Sequence, residues 1–197
     1  NTAKDNIAVF ETPYYALGDF NFVKGDRRMV IFMGHDFHNL SSGLSKNDFI
    51  DVENKCLDYV RRECAGYDLY YKPHPAETDE KNNLNLMFFK FIDDTSISEF
   101  FLMKNIDKIQ YVFSPFSWIS ASAYAMGLNS YVFSPLYKTA MSEDQFGFYD
   151  DYFIEMPPRF FINSFNQKLT ENKIVPPKDE LFEKEIKDVI FSKKGIA

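Results

Sequence analysis

Tyr70-Tyr71-Lys72-Pro73-His74-Pro75 decides the reading of this chain, together with Val112-Phe113-Ser114-Pro115-Phe116-Ser117 about forty residues later. The first stretch is an apolar strand halted by two prolines, neither of which can donate to a sheet ladder. A lone histidine stands between them. The second is a strand that ends in hydroxyls, just before a small-residue helix expected over Ser117 to Met126 and closed by Gly127. In an open α/β sheet, such strand ends face the crevice where ligands bind.

The flanking chain supplies the rest of that sheet. Met29-Val30-Ile31-Phe32-Met33 is a compact apolar run ending at Gly34, the pattern of a buried parallel strand. The polar loop over 34–43 follows it. Ser45 with Asp48 marks a helix start, and Phe49, Val52, Cys56, Val60 and Cys64 recur at helical spacing, with Ile50 and Leu57 widening the stripe. Gly66 is placed to end that helix. Further strands are read at 68–71, 87–92, 109–113 and 130–133, the last closed by Pro135. Ser96 and Glu99 have capping-box spacing and open a helix through Phe100 to Met103. Strands alternating with helices give an α/β fold, a Rossmann-like parallel sheet with helices on both faces.

Three segments follow from this layout. Residues 1–28 are an entry segment or linker, with a short strand expected at 7–10. Residues 29–140 form the Rossmann-like domain, with a loop or short helix at 76–87. Residues 141–197 are a C-terminal extension packing on the same domain, with a strand at 152–154, a break at 156–158 and a last helix over 177–190. The chain begins at Asn1 without a methionine or a signal-peptide pattern, which is expected of a piece of something longer.

Composition narrows the function. The net charge of −7, with 29 acidic against 22 basic residues and no basic block, argues against nucleic acid or an anionic membrane as partner of the whole surface. No run of about 18 apolar residues is present, so no transmembrane segment is expected. Cys56 and Cys64 lie on one helix where they cannot easily bridge, and no cysteine–histidine cluster suggests a metal. A reducing cytosol is the expected setting. The Walker A, dinucleotide and G-x-S-x-G patterns are all absent, which removes support for P-loop ATPases, dinucleotide oxidoreductases and α/β-hydrolases.

The candidate residues each carry two readings. His74 is either a structural histidine or, pinned between prolines at a strand end, an imidazolium that binds a phosphate oxygen and donates a proton to a departing phosphate. Lys72 beside it is either solvated or an added positive charge. Ser114 and Ser117 stand at a helix N-terminus suited to phosphate, although Ser117 is equally suited to capping that helix. Glu99 is either the capping-box carboxylate or a hydrogen-bond acceptor for ribose hydroxyls. Gly34, His35, Asp36 and His38 are expected to face the same crevice. The H-x-x-H pair in that loop is a weak sign of metal, and no metal is expected.

Lys72-Pro73-His74-Pro75, then Ile97-Ser98-Glu99 at a helix start, then Ile106-Asp107-Lys108-Ile109 leading to Val112-Phe113-Ser114, resembles the donor-binding half of bacterial sialyltransferases. These use CMP-sialic acid on a GT-B fold and include capsule polysialyltransferases and lipooligosaccharide sialyltransferases. The resemblance spans about residues 29–135 and implies a C-terminal GT-B domain. It implies that His74 and Pro75 and Ser114 (with Ser117 near it) hold the CMP phosphate, and that Glu99 holds the ribose. It further implies inverting transfer of a CMP-activated acidic sugar to a glycan acceptor without a cofactor or metal. The setting would be the cytoplasm, or the inner face of the bacterial membrane. Two features depart from the family pattern: Ser114 is followed by Pro115 rather than a second serine, and no acidic motif for the general base is present. A donor-binding half whose N-terminal GT-B domain is missing is therefore expected, or a base placed elsewhere. The alternatives are an envelope-polymer transferase using CMP-Kdo or CDP-glycerol, and a non-catalytic domain of the same fold.

Overall fold

The computed structural model describes residues 28–35, 46–77, 83–94, 96–154 and 156–172. Five strands form one parallel sheet: β1 (Met29–Met33), β2 (Asp68–Lys72), β3 (Lys90–Phe91), β4 (Ile109–Ser114) and β5 (Asn129–Val132). Their spatial order is β3-β2-β1-β4-β5, with every neighbouring pair parallel. The α/β, Rossmann-like architecture read from the sequence is the one observed. The chain leaves β1 toward β2 and β3, then returns past it to β4 and β5. The reversal makes a topological switch point between β1 and β4.

Alternation along β1 explains why the sheet is buried on both faces. Val30 and Phe32 join one core with Phe49, Val52, Cys56, Leu57 and Val60 of α1 (Lys46–Glu63). Ile31 and Met33 point the other way, into a second core with Phe101 and Leu102 of α2 (Ser98–Lys104) and Ile119 and Ala123 of α3 (Ile119–Ala125). These four side chains are essentially inaccessible to water, which is why the strand reads as an unbroken apolar run. The α1 stripe buries as its spacing requires, and both Cys56 and Cys64 are buried free thiols. Gly66 follows the helix with φ +93°, a conformation that costs glycine little and other residues much.

The edges depart from the sequence reading. The strand expected over 87–92 shrinks to Lys90–Phe91, because Met87, Phe88 and Phe91 are exposed and give the sheet nothing to bury. The strand expected at 152–154 is replaced by the end of α4 (Glu143–Tyr152) and a turn. At the far edge, the stretch 161–172 lies along β5. Phe161 bridges Val132, and buried Asn172 donates its backbone N–H to Asn129 Oδ1 (2.8 Å) and its amide to the Ser130 carbonyl (2.7 Å). That stretch covers an otherwise open edge strand. The expected strand at 7–10, helix at 177–190 and loop residues Asp36 and His38 lie outside the described residues. Among the described residues, no helix is long and apolar enough to cross a membrane.

Candidate functional site

A cleft of about 300 Å³ opens at the carboxyl ends of β1, β2 and β4, at the switch point. That volume is at the lower end of the usual range for small-molecule sites. Met33 and Gly34 form its floor, Lys72-Pro73-His74-Pro75 one wall, Ile97-Ser98-Glu99 a second and Ser117-Trp118-Ile119 a third. Six of the expected site residues (Gly34, Lys72, His74, Pro75, Glu99 and Ser117) are thereby brought together from four segments of sequence. Ser114 and His35 are not among the lining residues.

The His74 wall is a tight turn. The Glu77 N–H donates to the His74 carbonyl at 2.9 Å, with Pro75 at the second position, where its fixed φ favours a turn. The Ala76 N–H reaches His74 Nδ1 at 3.2 Å. Behind the turn, the buried Glu77 carboxylate accepts the His74 N–H at 3.0 Å and the Tyr71 hydroxyl at 2.7 Å. Burial, reinforced by the neighbouring acidic groups Glu53 and Glu77, holds the Tyr71 phenol well above its ordinary pKa, so it stays protonated and donates.

Lys72 is neither solvated nor aimed at a ligand. Its ammonium donates to the carbonyls of Asp94 (2.6 Å) and Ser96 (3.4 Å) and lies 5.7 Å from the Phe101 ring centroid. Burial pushes its pKa down from the usual lysine value. The residue ties the end of β2 to the loop that feeds α2, and its charge remains behind the cleft wall.

Glu99 does not close a capping box. The Ser96 N–H donates instead to Asp94 Oδ1 at 2.8 Å, and α2 begins with Ile97 as its cap and no side-chain cap bond. Glu99 is half-buried on the cleft wall and accepts from Ser122 Oγ of α3 at 3.4 Å. That is a loose tether, which leaves the carboxylate able to turn toward a ligand hydroxyl.

The two serines divide. Ser114 is fully buried: its hydroxyl accepts the Ser117 N–H at 3.1 Å and pairs with Ser120 Oγ at 2.7 Å, while Ser120 Oγ donates to the Tyr131 carbonyl of β5 at 3.3 Å. Ser114 thus shapes the loop and cannot reach a ligand, contrary to the role the sequence suggested. Ser117 lines the cleft, and α3 starts from Trp118 with no side-chain cap bond, so the capping role open to Ser117 is not taken. His35 is also displaced from its expected role. Its ring packs edge-on against Phe116 at 4.3 Å and near Phe49 at 6.0 Å, within the aromatic core beside α1.

Sequence reasoning missed Glu77, Ile97 and Trp118. For Glu77 the available signal was its place three residues after His74 across a proline, the spacing of a closed turn. Ile97 and Trp118 carry no chemical signal beyond preceding a helix, yet both line the cleft and stand well exposed at its rim. Among the described residues, no group of three or more His, Cys, Asp or Glu is gathered to hold a metal ion. Comparison with protein-family models, with curated proteins and with solved structures finds no match for this chain.

Proposed function

We propose that this chain is the donor-binding half of an inverting sugar transferase that takes a CMP-activated acidic sugar, such as CMP-sialic acid, and passes it to a glycan acceptor. The observation that supports it is the convergence of His74, Ser117 and Glu99 on one cleft at the switch point of the sheet. An imidazole and a hydroxyl that line the same cleft suit a phosphate, and a carboxylate on its wall suits vicinal ribose hydroxyls.

In this reading His74 and Ser117 meet the phosphate, with the backbone of the Pro73–Pro75 wall close behind. Glu99 accepts from the ribose. Gly34 keeps the floor low, and Lys72 adds positive potential from within the wall. Ser114 acts one step back, by setting the conformation of the loop that presents Ser117. The partners are the nucleotide-sugar donor, a glycan acceptor and a second GT-B domain that brings the general base. The place of action in this reading is the cytoplasm, or the inner face of a bacterial membrane.

Calorimetric titration of CMP-sialic acid, CMP-Kdo and CDP-glycerol into the protein and its His74→Ala variant tests the proposal. CMP-sialic acid bound more tightly than the other two, and at least about tenfold more weakly by His74→Ala, is expected from the loss of a charge-assisted hydrogen bond. Preference for CMP-Kdo or CDP-glycerol would replace the donor. Equal binding by both proteins, or none, would remove the nucleotide-sugar reading.

A further inference from the structure

We propose that Glu77 is a positioning residue that fixes His74 as a neutral imidazole with its proton on Nε2, so that the cleft grips a phosphate group without a charge on the ring. The inference deepens the phosphate-binding reading of the cleft and rests on it.

Glu77 holds His74 from both sides: its carboxylate accepts the His74 N–H at 3.0 Å, and its own N–H donates to the His74 carbonyl at 2.9 Å. Pro73 and Pro75 restrict what backbone freedom is left. In that fixed frame the Ala76 N–H meets His74 Nδ1 at 3.2 Å. A backbone N–H only donates, so Nδ1 accepts and carries no proton. The ring proton therefore sits on Nε2, which is the nitrogen left for a ligand. An imidazolium would set two hydrogens against each other at Nδ1.

The carboxylate is held in place from beneath. Tyr71 donates to Glu77 Oε1 at 2.7 Å, and the pair lies directly under Gly34. A β-carbon at residue 34 would sit 2.5 Å from the Tyr71 oxygen and closer still to Glu77 Oε2, so only glycine leaves the brace its space. The titratable groups facing the turn are Tyr71 and Lys72 of β2, Glu77 itself, Glu99 across the cleft on α2, and Glu53 of α1 behind Glu77. The chemistry agrees with a neutral donor. A departing nucleoside monophosphate has a second pKa near 6, so at neutral pH it leaves as a dianion and needs a hydrogen bond rather than a proton.

Nitrogen-15 NMR of the imidazole rings in the unliganded protein tests this directly, with His74 assigned among the three histidines by its loss in His74→Asn. The expected spectrum at neutral pH has His74 as a single Nε2–H tautomer. Glu77→Ala is expected to give a mixture of tautomers, and Glu77→Gln, which can still accept the His74 N–H, to restore the single form. Gly34→Ala, which pushes the carboxylate aside, is expected to act like Glu77→Ala and serves as the independent variant should that one fail to fold. CMP affinity between pH 7 and pH 9 is expected to change less than about twofold in the wild type, whereas an obligatory imidazolium would lose about tenfold per pH unit. An Nδ1–H or doubly protonated ring at neutral pH, or an unchanged tautomer in folded Glu77→Ala and Gly34→Ala, overturns the proposal. Absence of any CMP binding would instead remove the nucleotide reading, and the ring spectrum would still decide the role of Glu77.

Discussion

Replacing Ser114 and Ser117 by alanine, one at a time, separates scaffold from ligand contact. The Ser114 hydroxyl has no solvent access and makes two good hydrogen bonds, to the Ser117 N–H at 3.1 Å and to Ser120 Oγ at 2.7 Å. Each is worth about 1 kcal/mol net, and Ser120 keeps one remaining partner in the Tyr131 carbonyl. Ser114→Ala should therefore cost about 2 kcal/mol of stability, which for a domain of this size lowers Tm by roughly 4–8 °C. Ser117 is part-exposed and lends its side chain to no cap, so Ser117→Ala should stay within about 0.5 kcal/mol of wild type. Urea unfolding with an unchanged m-value reads the stability difference, and CMP titration reads the site. Ser117→Ala is expected to bind CMP about tenfold more weakly while folding normally. Ser114→Ala is expected to lose both stability and affinity, because the loop that carries Ser117 relaxes. A stable Ser114→Ala protein, or a Ser117→Ala protein that is destabilised yet binds normally, would refute the division of roles.

Two further outcomes follow from buried and half-buried carboxylates. Glu99→Gln is expected to weaken CMP binding by about tenfold or more, from loss of a charge-assisted bond, and to leave 2′,3′-dideoxy-CMP unaffected; equal losses on both nucleotides would place Glu99 elsewhere than the ribose. Glu53 is fully buried on α1, and burial, with the Glu77 charge second, holds its pKa well above the ordinary carboxylate value. The native state therefore keeps a proton that the unfolded chain releases above about pH 4.5. Its penalty to stability is absent at acid pH and grows as pH rises toward the native pKa, so Glu53→Gln should gain on wild type in denaturant midpoint from pH 5 to pH 8. A gap that stays constant or narrows over that range would contradict this assignment.

The centre of the fold was legible in the sequence because burial there is complete. A strand covered on both faces must be apolar throughout, and Met29–Met33 is; a helix covered on one face must repeat, and Phe49 through Cys64 does. The edges were less legible, since Met87-Phe88-Phe89 is as apolar as a strand while Met87 is 79% exposed. Around 152–154 the chain is aromatic without a clear period, and there it ends a helix. Within the site, residue type located the cleft through His74, Glu99 and Ser117. It could not distinguish Ser114 from Ser117, because which hydroxyl faces inward is set by the last turn of strand geometry before Pro115. Nor could it show that Lys72 turns to the carbonyls of Asp94 and Ser96, or that His35 folds back on Phe116; both depend on neighbours distant in sequence.

The claim on which the rest depends is that one nucleotide occupies the switch-point cleft. Amide chemical-shift mapping during a CMP titration tests it most directly. The account predicts saturable shifts concentrated at Gly34, His74 to Glu77, Ile97 to Glu99 and Ser117 to Ile119, all strongly reduced in the His74→Ala variant. Shifts centred on another face of the sheet, or no saturable shifts at millimolar CMP, would contradict it.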